Sequence, residues 1–316
     1  MRLKLILRYP VDIRRARRIL EGRSDPARRY PGRPLVLDLR TPQLMFDCGR
    51  HFQSIAYYAS RVGSATYVRC GDLLLGGISR KQFGGEMLAQ PYVYHLPSDH
   101  PIPNDALVLG DYEPNAQDRQ EFASGTTYLR MLIGRDIDRT IPVMPYPMHP
   151  ATLRTFDQCD LPEMRGNQDD RRAILFAGSQ KARYGDSWML REFGILSRLE
   201  VIETLKSAYG DRIESTLRDA RQSRPIVILD SQSVGIPAQS WLAALSQARF
   251  FLCCPGGRQP LCHNLIEAMS VGTIPLIEYG DRITPKLCDG ETAICFRGRQ
   301  GLTDAIKRND AMSAED

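Results

Sequence analysis

Residues 249–279 place an apolar strand, a glycine-rich break, a helical pattern and a second apolar strand in close succession. A strand, a helix and a strand in this order form a right-handed crossover in nearly all proteins, and the crossover joins parallel strands. Open parallel sheets bind ligands at the carboxyl ends of their strands. The break at Pro255, Gly256 and Gly257 lies at such an end, so this segment predicts a parallel α/β domain with a ligand site beside its glycines.

The same alternation of strand and helix patterns runs through most of the chain. In the first half, strands are predicted at residues 34–39, 65–70, 92–96 and 105–112, and a helix at 52–63. In the second half, strands are predicted at residues 172–179, 224–230, 249–254, 273–279 and 292–296, and helices at 198–210, 238–248, 261–272 and near 302–308. This order is typical of α/β proteins built on parallel sheets.

Two domains follow from the length of the chain. Its 316 residues exceed one ordinary core and match two domains of about 150 residues each. Residues 141–150 contain four prolines, which restrict the backbone and cannot donate hydrogen bonds to a sheet. This piece is interpreted as a stiff connector, and the predicted domains are residues 1–145 and 146–316.

The composition is that of an ordinary globular protein, with 42% hydrophobic and 25% charged residues. Its apolar stretches are far shorter than the roughly 20 residues of a membrane span. Lys4 and Arg8 interrupt the N-terminal apolar run, which argues against a signal peptide. The eight cysteines show no CxxC pair and no regular spacing, so they are interpreted as reduced. The predicted location is cytoplasmic, either free or peripheral to the inner face of the membrane.

The first 40 residues form a strongly basic segment, with twelve arginines and lysines against four acidic residues. Such a segment attracts polyanions, either phospholipid headgroups or nucleic acid. The alternative is a solvated basic arm that has no partner. Nucleic acid is the least favoured partner, because no aromatic residues alternate with the basic ones and no nucleic-acid-binding motif accompanies them.

The glycine-rich break has the features of a phosphate site. Gly256 and Gly257 let the backbone approach a ligand closely, and a helix that begins near residue 260 points its free N–H groups at the same place. Glu267 follows about two turns later, where a carboxylate can accept hydrogen bonds from the hydroxyls of a ribose. The helical period puts one set on the face that looks into the site (His263, Asn264, Glu267 and Ser270) and another on the packed face (Leu261, Leu265, Ala268 and Met269). The alternative is a structural turn followed by a solvent-facing helix side.

The second half of the chain resembles the exostosin-type glycosyltransferases. That family carries a helix, an apolar strand, Pro-x-Gly, a later Glu-Ala pair and then Gly-x-Ile-Pro. The matching residues here are Pro255, Gly257, Glu267, Ala268, Gly272, Ile274 and Pro275. The stretch RRAILFAGSQKARYGDSWMLRE is similar to the one that opens the second domain of that family. The first half of the chain shows no specific motif.

The resemblance implies the GT-B fold, in which two Rossmann-like domains with parallel sheets face each other across a cleft. A nucleotide-diphosphate sugar would bind mainly to the second domain, a glycan or lipid-linked acceptor to the first, and the proline-rich connector would act as a hinge. The implied activity is glycosyl transfer in the synthesis of a surface polysaccharide or glycan. Two alternatives remain: a GT-B sugar-nucleotide epimerase, and a catalytically inactive relative that only binds a nucleotide or a glycan.

The resemblance also implies roles for individual residues. Glu267 would hold the ribose, while Gly256, Gly257 and the start of the helix would hold the diphosphate. The remaining implied donor-site residues are Gly178, Ser179, Lys181, Arg183, Arg258, His263 and Asn264. The sequence departs from the family in one respect that matters, because Cys262-His263-Asn264 stands where the family has Ser-x-Arg. Gln259 likewise stands where related retaining enzymes carry a first glutamate.

Inverting transfer requires a base for the proton of the acceptor hydroxyl, and retaining transfer does not. Asp47 and His51 are the favoured catalytic candidates, ahead of His95, Asp99 and His100. No metal and no cofactor is predicted. The Asp136-x-Asp138 motif lies just before the connector and is interpreted as chance, and the spacing of Cys262, His263, Cys288 and Cys295 is irregular for zinc.

Overall fold

The computed structural model of the protein describes residues 2–23, 26–41, 48–131, 147–166, 173–215, 226–257 and 259–311. By its packing the chain divides into two units, Met1–Ile137 and Asp138–Asp316. Each unit contains one parallel sheet with helices, which confirms the predicted α/β class. The predicted boundary between residues 145 and 146 lies outside the described residues.

The first unit holds a five-stranded sheet. Its helices are α1 (Arg2–Leu20), α2 (Pro26–Arg29), α3 (Arg50–Arg61), α4 (Asp72–Arg80), α5 (Gln82–Leu88) and α6 (Ala116–Gln120). Its strands are β1 (Leu35–Asp38), β2 (Thr66–Arg69), β3 (Val93–Leu96), β4 (Leu107–Gly110) and β5 (Thr127–Arg130). The strand order is β3-β2-β1-β4-β5, and all pairs are parallel.

Both faces of the first sheet are covered. All four residues of β1 are buried, because successive side chains of a strand point to opposite faces. Leu37 packs with Phe52 and Leu75 in one apolar cluster, whereas Val36 packs with Val108 in another. A strand that is buried on both sides reads as a continuous apolar run, and this is why β1 was recognisable in the sequence.

The basic N-terminal segment is not an arm. It forms α1, which packs along α4, and Ala16 is completely buried. Gly76 on α4 permits this close approach, since a Cβ there would lie 3.1 Å from the side chain of Ile13. An ion pair between Arg80 and Asp12 joins the same two helices at 3.8 Å. The prediction of a separate arm was wrong because Pro10 and the dense charge hide a helix that tertiary packing stabilises.

The second unit holds a six-stranded sheet. Its helices are α7 (Pro150–Phe156), α8 (Leu161–Gly166), α9 (Trp188–Phe193), α10 (Arg198–Tyr209), α11 (Ala238–Ser246), α12 (His263–Ser270) and α13 (Gly298–Ala311). Its strands are β6 (Ala173–Gly178), β7 (Ile213–Glu214), β8 (Ile226–Asp230), β9 (Ala248–Cys253), β10 (Ile274–Ile277) and β11 (Ile294–Cys295). The order is β11-β10-β9-β6-β8-β7, and again all pairs are parallel.

The core of the second unit also has two faces. Leu175 and Phe251 belong to the cluster on one side of the sheet, and Ile174 and Phe250 belong to the cluster on the other. The eight cysteines are free, as predicted. None of the described helices has the length and the apolar character needed to cross a lipid bilayer.

The strand order changes direction once in each sheet. In the second unit, β6 lies between β8 and β9, so the chain runs outward from β6 in both directions. In the first unit the same reversal occurs between β1 and β4. Loops that leave such neighbouring strands diverge to opposite sides of the sheet and open a crevice at its carboxyl edge. The carboxyl ends of β6 and β9 therefore form the topological switch point of the second unit.

Candidate functional site

The two predicted glycine loops meet at this switch point. Gly178 ends β6 and is followed by Ser179, whereas β9 ends at Cys253 and leads into Pro255 and Gly256. Because β6 and β9 are neighbours in the sheet, their carboxyl ends lie side by side. The structure thus brings together two sets of predicted site residues that are far apart in the sequence.

One side chain that was not predicted ties the two loops together. Arg198, the first residue of α10, donates from Nε and Nη2 to the carbonyl oxygen of Pro255, at 3.2 and 3.0 Å. Its Nη1 donates to the carbonyl oxygen of Ser179 at 3.0 Å. Only 7% of this residue is exposed. The guanidinium group therefore lies directly between the ends of β6 and β9.

The charge of Arg198 has no anionic partner within the described part of the chain. Its described contacts are two neutral carbonyl groups and two aromatic rings, with the ring centroid of Tyr184 at 3.9 Å and that of Phe176 at 5.9 Å. A buried cation that is not neutralised costs several kcal/mol, and cation–π contacts return only about 1–2 kcal/mol of this. The site is thus arranged electrostatically to receive an anion.

A second buried arginine shows what a purely structural arrangement looks like. At the carboxyl edge of the first sheet, Arg69 donates to both carboxylate oxygens of Asp38, at 3.2 and 3.1 Å. Tyr112 donates to the same carboxylate at 2.6 Å. Both charged residues are buried, and each compensates the other. Arg198 differs from Arg69 because no carboxylate in the described ranges pairs with it.

The glycine loop after β9 is tightly closed. The N–H of Gly256 donates to the carbonyl oxygen of Pro260 at 3.3 Å, and a Cβ at Gly256 would lie 2.7 Å from the carbonyl oxygen of Gln259. At Gly257, a Cβ would meet the ring of Tyr184 at an ordinary contact distance of 3.5 Å. Gly256 is therefore required by the turn itself, whereas Gly257 is not. The predicted phosphate contact of Arg258 lies outside the described residues.

This difference gives a test of the loop. Gly256→Ala is expected to destabilise the protein by about 1–3 kcal/mol, because backbone atoms cannot move aside cheaply. Gly257→Ala, the matched control, is expected to stay within about 0.5 kcal/mol of the parent. Urea unfolding followed by circular dichroism measures both. Equal effects of the two substitutions would contradict the described geometry.

Polar groups near the start of α12 are only partly satisfied. The Nδ2 of Asn264 donates to the carbonyl oxygen of Ala177 at 3.2 Å, which links α12 to the end of β6. Its Oδ1 and the Nε2 of Gln259 are buried and have no hydrogen-bond partner among the described residues. Buried polar groups are nearly always paired, so unpaired ones in a crevice indicate a place where a polar ligand can complete the bonding.

Glu267 does not face the site as predicted. It has no exposed surface, and its Oε1 accepts from the backbone N–H of His149 at 2.8 Å. Its Oε2 accepts from Trp241 Nε1 at 2.7 Å and lies 2.8 Å from Nδ1 of His263. Met269, predicted to pack, is 38% exposed. The predicted faces of α12 were wrong in these two positions. At Glu267 the backbone N–H of His149, just before α7, and the indole N–H of Trp241 on α11 supply donors that make a buried carboxylate favourable.

The buried carboxylate is held in its ionised form. Burial alone would raise the pKa of Glu267, but the adjacent His263 ring and the hydrogen bonds from His149 and Trp241 lower it to about 2. An ionised partner at Nδ1 keeps the proton on that nitrogen, so Nε2 is the acceptor of the neutral ring. The side chain of His263 remains 24% exposed. Glu267 therefore orients His263 and has no surface through which to touch a ligand itself.

The predicted basic residues of the β6 loop are exposed. Arg183 donates to the hydroxyl of Tyr184 at 2.9 Å, and Lys181 immediately precedes this short helical turn. Both side chains lie on the surface of the loop that leaves the switch point. They are exposed to solvent, unlike Arg198, which is buried and held by three hydrogen bonds.

The predicted catalytic residues of the first unit are less well placed. His51 lies in α3 and is 3% exposed, so its imidazole has almost no surface to offer to an acceptor. Asp47 lies outside the described residues. His95 is fixed by a contact of 3.0 Å between its Nε2 and the carbonyl oxygen of Cys70, whereas Asp99 and His100 are exposed. Burial removes His51 as a base in this conformation.

Metal ligands do not cluster in the described ranges, where no group of three or more His, Cys, Asp or Glu side chains could hold an ion. The predicted Asp136-x-Asp138 motif lies outside these ranges. No protein-family model, curated protein or solved structure matches the chain. The resemblance to the exostosin-type glycosyltransferases stays a prediction, and the function is inferred from the site geometry and that resemblance.

Proposed function

We propose that the protein is a GT-B glycosyltransferase that transfers a sugar from a nucleotide-diphosphate sugar to a glycan or lipid-linked acceptor in surface polysaccharide synthesis. The observation that carries the proposal is Arg198, a buried cation at the carboxyl edge between β6 and β9 that pairs with no carboxylate of the described residues. An anionic ligand at this position supplies the missing charge. The sequence pattern around Glu267 supplies the class of reaction.

The diphosphate would bind across the ends of the two strands. Arg198 would neutralise it at the ends of the two strands, and the backbone N–H of Gly257 together with the N–H groups at the start of α12 would donate to its oxygens. Arg198 thereby takes the place of the family arginine that Asn264 replaces. Lys181, Arg183 and Arg258 would add charge from the surface. These contacts stabilise the leaving group, on which negative charge develops as the sugar departs.

When its ring carries protons on both nitrogens, His263 would donate a hydrogen bond from Nε2 to the departing diphosphate. Glu267 would hold the ring in place for this contact through Nδ1, which lies 2.8 Å from its Oε2. In the transfer, the bond from the anomeric carbon to the diphosphate oxygen breaks and a bond to the acceptor oxygen forms. The acceptor proton would pass to a base of the first unit, for which Asp47 remains the candidate in an inverting reaction.

The catalytically inactive alternative has one observation in its favour. Gln259, which stands where related retaining enzymes carry a glutamate, is buried, and its Nε2 has no hydrogen-bond partner in the part of the chain that the structure describes. A site with this amide can bind a nucleotide without the second carboxylate. Binding and catalysis must therefore be measured separately.

The test combines ligand binding with product analysis. UDP and GDP are screened by thermal shift, where a bound ligand stabilises the fold by mass action. The corresponding sugar nucleotides are then incubated with the protein and with lipid-linked or oligosaccharide acceptors, and the products are separated by mass spectrometry. Transfer supports the proposal. An epimerised donor formed without an acceptor would favour the epimerase instead. Stabilisation by a nucleotide without any turnover would favour the inactive relative. If no nucleotide stabilises the protein, the transferase, the epimerase and the inactive relative are all rejected.

A further inference from the structure

A basic cavity lies in the first unit between the C-terminal half of α1 and strand β3. It has a volume of about 590 Å³, and the residues that matter for its chemistry are Arg14, Arg17, Arg18, Arg23, Tyr94 and His95. The strand order places this cavity at the edge of the sheet, away from the switch point between β1 and β4. It is therefore separate from the crevice that the strand order creates in this sheet.

The cavity carries an excess of positive charge. Among the described residues, two carboxylates lie close to its four guanidinium groups: Glu21 in the lining, and Asp72, which pairs with Arg17. Arg14 and Arg18 form no hydrogen bond or ion pair with any residue that the structure describes. They are four positions apart on one helix, so their side chains leave the same face. Two arginines thus point their free donors toward the same space.

The wall behind these arginines is fixed. Arg23 donates to the carbonyl oxygens of Ile19, Leu88 and Gln90, at 3.0, 2.6 and 2.8 Å, and also to that of Val93. Burial lowers the pKa of Arg23, although the group stays charged in any ordinary buffer. These bonds join the end of α1 to the start of β3. One wall of the cavity is therefore fixed, whereas Arg14 and Arg18 on the other side are exposed.

We propose that this cavity binds a phosphate monoester group. The planar guanidinium fork matches two oxygens of a phosphate, and several arginines together can neutralise its two charges. The volume is within the range of small-molecule sites, so a phosphate that carries an organic group fits. Phosphate on a soluble metabolite and phosphate on a lipid headgroup share this chemistry. The proposal does not depend on glycosyl transfer.

The experiment measures phosphate binding to the full chain by isothermal calorimetry. All proteins carry Arg198→Gln, so that phosphate bound in the second unit does not contribute. Adding Arg14→Gln and Arg18→Gln is expected to weaken binding at least about tenfold, because charge-assisted hydrogen bonds are lost. The matched control adds Arg8→Gln and Arg15→Gln, which remove equal charge from exposed positions of the same helix outside the cavity lining. The control is expected to bind within about twofold of its parent.

Vesicles of phosphatidylcholine with and without phosphatidic acid identify the source of the phosphate. Sedimentation with phosphatidic acid vesicles that is lost on changing Arg14 and Arg18 supports a lipid headgroup. Calorimetric binding without sedimentation supports a soluble phosphorylated ligand.

The proposal is overturned if neither phosphate nor the phosphatidic acid vesicles bind, or if both double substitutions weaken binding equally. The proposal is also overturned if a single-stranded oligonucleotide competes with phosphate and both double substitutions weaken oligonucleotide binding equally. Circular dichroism confirms that each variant is folded.

Discussion

Arg198→Gln is expected to weaken the binding of UDP or GDP about a hundredfold while leaving the unliganded protein at least as stable as its parent. The loss of affinity corresponds to two charge-assisted hydrogen bonds to the diphosphate. The stability is expected to hold because the substitution removes a buried charge that no described carboxylate neutralises. A glutamine amide can still donate to the carbonyl oxygen of Pro255 or of Ser179.

A loss of nucleotide affinity without a loss of stability distinguishes a ligand-binding arginine from a structural one. Arg69→Gln is the matched control, since it strips a buried cation from the carboxylate of Asp38 in the other unit. It is expected to destabilise the protein by about 3–5 kcal/mol, because an unpaired carboxylate stays buried. UDP affinity, measured under conditions where that variant is folded, is expected to be unchanged.

Calorimetry with UDP and GDP and urea unfolding without ligand measure the two quantities. Arg198→Lys is expected to lie between the parent and the glutamine variant, because it keeps the charge but loses the planar fork. If Arg198→Gln destabilises the free protein as much as Arg69→Gln does, and nucleotide binding is unaltered, Arg198 is a structural tie between two loops. The proposed diphosphate site would then lack a ligand-binding positive charge between the ends of β6 and β9.

The switch point could be found from sequence because its parts follow local rules. The β9 strand, the break at Gly256 and the start of α12 succeed one another within a short segment, and each has its own signature. The carboxyl end of β6 was recognisable in the same way from Gly178. That the two ends are adjacent follows from the strand order of the structure, because the alternating pattern predicts parallel strands but not which of them are neighbours.

Arg198 was missed because its role depends on distant contacts. In sequence it is simply the first residue of an amphipathic helix. One local signal exists: a cation in the first turn lies at the positive end of the helix dipole, where acidic residues are preferred. An arginine that departs from this preference has to be held there by something else, and here two carbonyl oxygens and the Tyr184 ring hold it.

Arg198 is a site residue that the sequence did not reveal, whereas Glu267 is one that the sequence placed on the wrong face of its helix. Its spacing from the glycines predicted a group that faces a ligand, and the helical period cannot tell a ligand-facing side from one that other helices cover. Trp241 and the N–H of His149 come from elements with no local link to α12, and they decide the matter. The same limit explains α1, which is helical because α4 covers it rather than because of its own sequence.

Glu267→Gln is expected to destabilise the protein by about 3 kcal/mol at pH 7, and the deficit is expected to shrink as the pH falls. The pKa of Glu267 is about 2 in the folded protein and near 4.5 when the side chain is free. A group whose folded pKa is lowered stabilises the fold fully above its unfolded pKa and loses this contribution as the pH falls through the folded value. The difference of about 2.5 in pKa corresponds to about 3 kcal/mol.

Urea unfolding at pH 7 and at pH 3 tests this linkage. The difference in unfolding free energy between the wild type and Glu267→Gln is expected to shrink by about 2 kcal/mol from pH 7 to pH 3, since most of the titration of Glu267 lies between pH 4.5 and pH 2. Glu203→Gln, an exposed position on α10, is the control and is expected to lie within about 0.5 kcal/mol of the wild type at pH 7. A deficit for Glu267→Gln that stays constant over this range would mean that the carboxylate is not held by His263, His149 and Trp241. His263 would then lack the fixed partner on which its proposed contact with the leaving diphosphate depends.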